Sequence, residues 1–195
     1  MIMKISRTLL LTGLLLIGLQ SFSQSNWTID NSHSDIGFKV THMAISQVDG
    51  RFTDFKANVT GAGDDFAGSD VEFSAKVASI NTNNERRDGH LKSADFFDAE
   101  SFPEIKLKGK IQKEGNKYFL VGDFTMKDIT KRVKFDVKYN GMIDSGRGMK
   151  AGFRVTGVID RFDYGLTWNR TIESGGLIVS REVEINCNVQ LNEAN

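Results

Sequence analysis

INTNNERRDGHLKSADFFDAESFP, residues Ile80 to Pro103, interrupts the pattern that governs the rest of the chain. On either side of it apolar and polar residues alternate in strand after strand; within it the alternation stops for more than twenty residues. Thr82 followed three positions later by Glu85 reads as a capping box, and Ser93 reads as a second N-cap ahead of Asp95, Phe96 and Phe97, which predicts two short helical turns. An insertion of this length in a compact β domain is a lid, a binding element or a disordered segment. Adjacent Phe96 and Phe97, together with Leu91 and Phe102, need something apolar to cover, so the expectation is an ordered lid or plug over a β core.

Upstream, Ile36, Phe38, Val40 and His42 share one face of a strand, with Gly37, Lys39 and Thr41 on the other. Val48, Gly50 and Phe52 continue in that style, and the apolar phase then slips by one at Phe55, Ala57 and Val59, which predicts a β-bulge. A glycine-rich turn at Gly61 to Asp65 precedes Val71, Phe73, Ala75 and Val77. Downstream, Ile105, Leu107 and Ile111 alternate with Lys106, Lys108 and Lys110, the lysines marking a solvent face, and Glu114-Gly115-Asn116 is a hairpin turn. Tyr118 to Met126 and Val133 to Tyr139 are expected to pair around Lys127 to Thr130, with a polar loop at Gly141 to Gly148. Ala151, Phe153, Val155 and Ile159 follow with period two, and Val179, Val183, Ile185, Cys187, Val189 and Leu191 mark the last strand. A second aromatic excursion without strand period runs from Arg161 to Asn169.

About eight amphipathic strands with two aromatic insertions predict an all-β fold, an eight-stranded antiparallel barrel with a short helical lid insertion, because closure removes exposed sheet edges. The interior of such a barrel is just wide enough to be filled by side chains or to hold one small ligand, and strand periodicity leaves both open.

Lys4 and Arg7 ahead of the apolar run Leu9 to Leu19, with small residues at Ser21 and Ser23, read as a secretory signal peptide over residues 1–23, leaving one domain over residues 24–195. Basic and acidic residues balance at 25 each, and loss of Lys4 and Arg7 makes the mature chain slightly acidic, which argues against nucleic acid as a partner. Cys187 is the only cysteine; on an alternating apolar face it reads as a buried core residue, and an exported chain with one thiol has no internal disulfide.

Three histidines are the obvious candidates for metal or acid-base chemistry. His33 and His42 lie nine residues apart and point to opposite faces of a regular strand, and no cysteine cluster or paired carboxylates accompany them, so no metal site, cofactor or catalytic group is predicted. Neither a Gly-x-Ser-x-Gly turn nor a phosphate-cradling glycine loop is present. In Glu85 to His90, ion pairs on a solvated helix face compete with a second reading. In that reading Arg87 and His90, with Arg161, ring the mouth of a cavity and meet the polar end of an otherwise apolar ligand, a role suited to arginine's bidentate fork.

Trp27 to Ser34, Phe38 to His42 and Val48 to Phe52 are one set of family-like motifs; Ser79 to Thr82, Arg87 to Asp98 and Phe102-Pro103 are another. With Gly122 to Met126, Asp128 to Val133 and Ile159 to Gly165, in this order, they resemble the YceI-like polyisoprenoid-binding family over nearly the whole mature chain. Two departures are Ile129, where the family's hairpin motif usually carries glycine, and Tyr164, often phenylalanine. The resemblance implies a lipocalin-like barrel, exported to the periplasm, that holds a long-chain isoprenoid or similar amphiphilic lipid. The expected lining is Ile36, Phe38, Val40, Phe52, Phe73, Ile105, Leu107, Phe124, Phe135 and Phe153, closed at one end by Phe96 and Phe97, with Arg87, His90 and Arg161 at the polar mouth. Transient membrane contact and a homodimer are compatible with this reading. Two alternatives stand beside it: a secreted enzyme acting on a lipid with His90 and Asp88 as acid and base, and a solid-cored barrel acting as an interaction module.

Overall fold

The computed structural model describes residues 25–61, 65–172 and 176–194. The expected leader and most of the Gly61 to Asp65 turn lie outside the described residues. The first half of the chain forms β1 (Ser25–Ile29), β2 (Asp35–His42), β3 (Ser46–Phe52), β4 (Phe55–Gly61), β5 (Asp70–Lys76) and β6 (Ile80–Asn81), then the helix α1 (Glu85–Lys92). The second half forms β7 (Glu104–Glu114), β8 (Lys117–Met126), β9 (Ile129–Asp144) and β10 (Met149–Asp160). A short ribbon of β11 (Thr171–Ile172) and β12 (Gly176–Leu177) precedes β13 (Val179–Glu193).

Eight strands close a barrel in the order β1-β4-β5-β7-β8-β9-β10-β13, and β13 returns to β1. Every pairing is antiparallel, as predicted. β13 spans both ends of the wall. Its last residues pair with β1 (Leu191 opposite Ile29), and its earlier ones pair with β2 (Cys187 opposite Ile36, Val183 opposite Val40). β3 and then the two-residue β6 extend that side, so β6 is an edge strand.

The alternation that predicted the strands also decides their faces. On β7, Ile105, Leu107 and Ile111 are buried. The intervening lysines reach outward to carboxylates on β5 and β7: Lys108 to Glu72 at 2.8 Å, Lys110 to Asp70 at 2.6 Å, and Lys106 to Glu104 at 3.2 Å. Each exposed pair contributes little by itself, but together they keep this face in water and the apolar face inside.

Four local expectations are corrected. The phase slip after Phe52 is a strand break, since Thr53 and Asp54 separate β3 from β4 and the two strands have different neighbours. The β8–β9 hairpin turns on two residues, Lys127 and Asp128, both in the left-handed region (φ 49° and 61°), so Ile129 already belongs to β9. β9 continues through Gly141 to Asp144, which shortens the polar loop. In the insertion, Asn84 caps α1, accepting from the Arg87 N–H at 3.0 Å, and Ser93 ends the helix with its hydroxyl donating to the His90 carbonyl at 2.8 Å. Thr82 is therefore no N-cap, and the segment after Ser93 is a series of turns.

Candidate functional site

The inward rows of side chains do not meet. They enclose a cavity of about 790 Å³ whose wall draws on every long strand. At roughly 30 Å³ per heavy atom, water's share of liquid volume, that is room for about two dozen atoms. All of the expected lining residues stand on the cavity wall: Ile36, Phe38, Val40, Phe52, Phe73, Phe96, Phe97, Ile105, Leu107, Phe124, Phe135 and Phe153. So do Arg87, His90 and Arg161. The void excludes a solid-cored barrel.

One end is stoppered by aromatic packing. Phe66, 2% exposed, sits 5.0 Å from Trp27, 5.0 Å from Phe153 and 5.8 Å from Tyr139, and Tyr139 stacks on Phe153 at 5.1 Å. Sequence reading missed this plug. Phe66 follows a glycine-rich turn and belongs to no alternating run, and its left-handed backbone (φ 59°) aims the ring into the barrel.

The insertion stands at the other end. Phe97 meets Phe52 on β3 edge to face at 6.3 Å, while the Phe96 carbonyl accepts from Lys127 Nζ at 2.8 Å. The lid thus spans the interval between the β3–β6 edge and the β8–β9 turn, forming part of the wall at this end and leaving an opening lined by the exposed Asn84, Arg86 and Arg170. His90, Phe96 and Trp168 form a second aromatic cluster, with centroids 4.9 to 5.2 Å apart. Trp168 comes from the Arg161 to Asn169 excursion, so the two insertions meet over the cavity.

The three expected mouth residues have different surroundings. Arg161 is 3% exposed, and its guanidinium donates to four backbone carbonyls: Ser180 at 2.9 Å, Trp168 at 2.9 Å, Val179 at 3.2 Å, and Leu166. Burial pulls its pKa downward, partly offset by Asp160. Arg87 donates from Nε to the Thr82 hydroxyl at 2.7 Å and from its terminal nitrogen to the Thr82 carbonyl at 2.8 Å. Thr82 in turn donates its N–H and hydroxyl to Asp88, which is 9% exposed and absent from the cavity wall. His90 touches the cavity, with Nε2 3.4 Å from Asp95. Sequence reading passed over Arg86, Arg170, Thr82 and Asn84, which also line this end. Four arginines and two histidines stand on the wall with no carboxylate among its residues.

The remaining histidines lie apart. His33 Nδ1 is 3.0 Å from Asp30 in the β1–β2 turn, His42 ends the inner row of β2, and no metal-binding cluster exists among the described residues. Cys187 is buried on the cavity wall, its pKa pushed up to about 12 chiefly by desolvation.

Comparison with known proteins agrees with this architecture. The chain is 36% identical over 168 residues to a UPF0312 protein of Staphylococcus aureus, covering 85% of this chain and 96% of that one. The crystal structure of a Campylobacter jejuni YCEI protein superposes with a TM-score of 0.67 at 31% identity, covering 85% of this chain and 96% of that chain. A polyisoprenoid binding domain from Saccharophagus degradans shares the fold alone, with a TM-score of 0.63 at 11% identity over 86% of this chain and 98% of that one. The YceI-like domain model matches residues 27–191, and with it the barrel, the lid and the motifs of both insertions assign this chain to the YceI-like family.

Proposed function

We propose that this protein is an exported carrier that holds a long-chain isoprenoid or similar amphiphilic lipid in its barrel, tail toward the Phe66 plug and polar end toward α1. The observation that carries this reading is the 790 Å³ apolar cavity, closed at one end and arginine-lined at the other. Burying hydrocarbon is worth about 0.8 kcal/mol per CH₂ relative to water, but a lipid tail leaves a membrane where it is already buried. Net preference for the protein therefore rests on shape fit along the wall and on the polar end, where Arg86, Arg87 and His90 stand. The leader-like residues 1–23 support export to the periplasm.

The enzyme reading needs Asp88 and His90 facing a substrate together. Asp88 instead accepts two hydrogen bonds from Thr82 and does not line the cavity, which favours binding without catalysis.

The test is to purify the protein from its own host and identify co-extracted lipid by mass spectrometry, with Phe96→Ala/Phe97→Ala alongside. A prenyl or other single-class amphiphile at near-stoichiometric occupancy, reduced in the variant, is expected. An empty barrel from the native host, or turnover of the bound lipid lost on Asp88→Asn, would overturn the proposal.

A further inference from the structure

The open end carries surface features that lipid binding inside the barrel does not require. The β2–β3 hairpin turns on Met43 and Ala44, both left-handed (φ 51° and 60°), with the Ile45 N–H donating to the His42 carbonyl at 3.2 Å. The loop between the paired His42 and Ser46 has three residues, and each non-glycine residue in the left-handed region costs about 1–2 kcal/mol. Here the chain places methionine and alanine at the tip and leaves Ile45 86% exposed and Met43 41% exposed. The tip borders the ribbon ahead of β13: the Met43 N–H donates to the Ile178 carbonyl at 2.7 Å, and the neighbouring Leu177 is 38% exposed. Ile178 and His42 line the cavity, so this apolar patch is part of its rim. Arg86 and Arg170 line the same opening, are exposed, and make no side-chain ion pair among the described residues.

Apolar side chains at a projecting tip, with exposed arginines lining the same cavity, match the chemistry of a bilayer surface, apolar below its headgroups and anionic at them. A carrier's tail gains most by passing from membrane to cavity without crossing water, which requires the opening itself to meet the bilayer. Resting on the carrier reading, we propose that the open end of the barrel docks on an anionic lipid bilayer, with Met43, Ile45 and Leu177 as apolar contacts and Arg86 and Arg170 facing the headgroups.

The experiment is flotation of the mature chain with vesicles of phosphatidylethanolamine mixed with phosphatidylglycerol, and with vesicles of phosphatidylcholine alone. The wild type is expected to float with the mixed vesicles and to be released by salt. Met43→Ser/Ile45→Ser should weaken association by about tenfold or more, from the apolar area withdrawn. Arg86→Gln/Arg170→Gln should remove the preference for phosphatidylglycerol. Ile143→Ser, which changes a side chain 64% exposed in the β9–β10 hairpin at the plugged end, should float like the wild type. Lipid co-purified with each variant is measured in parallel. Failure of the wild type to float while it still carries lipid would overturn docking and leave the carrier reading standing, whereas flotation of an empty barrel would do the reverse. Equal loss in the Ile143 variant, or a concentration-dependent dimer abolished by the tip substitutions with no vesicle binding, would also overturn the proposal, the latter assigning the face to a second copy.

Discussion

Replacing Arg161 by methionine separates two roles for a buried arginine on a cavity wall, one in binding a ligand and one in holding the wall itself. The side chain ties Leu166 and Trp168 in one insertion to Val179 and Ser180 at the start of β13, through four carbonyl contacts. Hydrogen bonds from a charged donor contribute about 1.5–3 kcal/mol each, but the desolvation that lowers this guanidinium's pKa offsets part of the sum. Methionine fills much of the volume and leaves four carbonyls without their donor, at about 1–3 kcal/mol for each buried acceptor left unsatisfied; with the guanidinium's desolvation cost recovered, a net loss of about 3–5 kcal/mol is expected. For a domain of this size that corresponds to a fall in Tm of roughly 6–20 °C. Lysine should not restore it, because one ammonium lacks the planar fork that reaches two segments at once. Urea and thermal unfolding of lipid-free protein measure the loss. If Arg161→Met unfolds like the wild type without lipid and differs only in lipid affinity, the carbonyl latch is not what holds the excursion, and Arg161 is a ligand contact.

Phe66→Ala should cost about 3–5 kcal/mol and open the plugged end, seen as a second mouth in a crystal structure; an unchanged stability would show that Trp27, Tyr139 and Phe153 close that end unaided. Cys187, with its pKa raised to about 12 by burial, should resist thiol reagents at neutral pH until the protein is unfolded, and rapid labelling of native protein would contradict its place on a closed wall. Its unfolded thiol ionises near 9, so this residue's effect is to lower stability as pH rises from about 9 toward 12. Asp30 is held down at about 2, because hydrogen bonds from His33, Ser32 and Asn192 outweigh a desolvation that acts the other way. Its contribution is complete above the ordinary carboxylate range and disappears as pH falls from about 4 to 2; acid unfolding of Asp30→Asn should therefore show a weaker pH dependence in that window.

Period two is a property of the extended backbone itself, so which residues share a face could be read from the chain alone. That is why the residues named for the lumen, from Ile36 on β2 to Phe153 on β10, all stand on one continuous wall. The motifs of the lid and of the second insertion carried the family in the same way. Whether opposite walls would touch was a different matter, because it depends on how eight strands close around one another, and no local pattern encodes that distance. The stopper illustrates the limit: Phe66 lies outside any alternating run and gains its role only where Trp27, Tyr139 and Phe153 converge from three strands. Arg161 shows it again, since a charge that reads from sequence as a mouth residue finds four carbonyls supplied by chain up to 19 residues away. Sequence by itself determined most of the strands, their buried faces and the two interruptions, because those follow from local backbone geometry; the closing strand β1, the break between β3 and β4, the cavity, its closed and open ends, and the partners of its polar groups were decided only by the closure of the barrel in three dimensions.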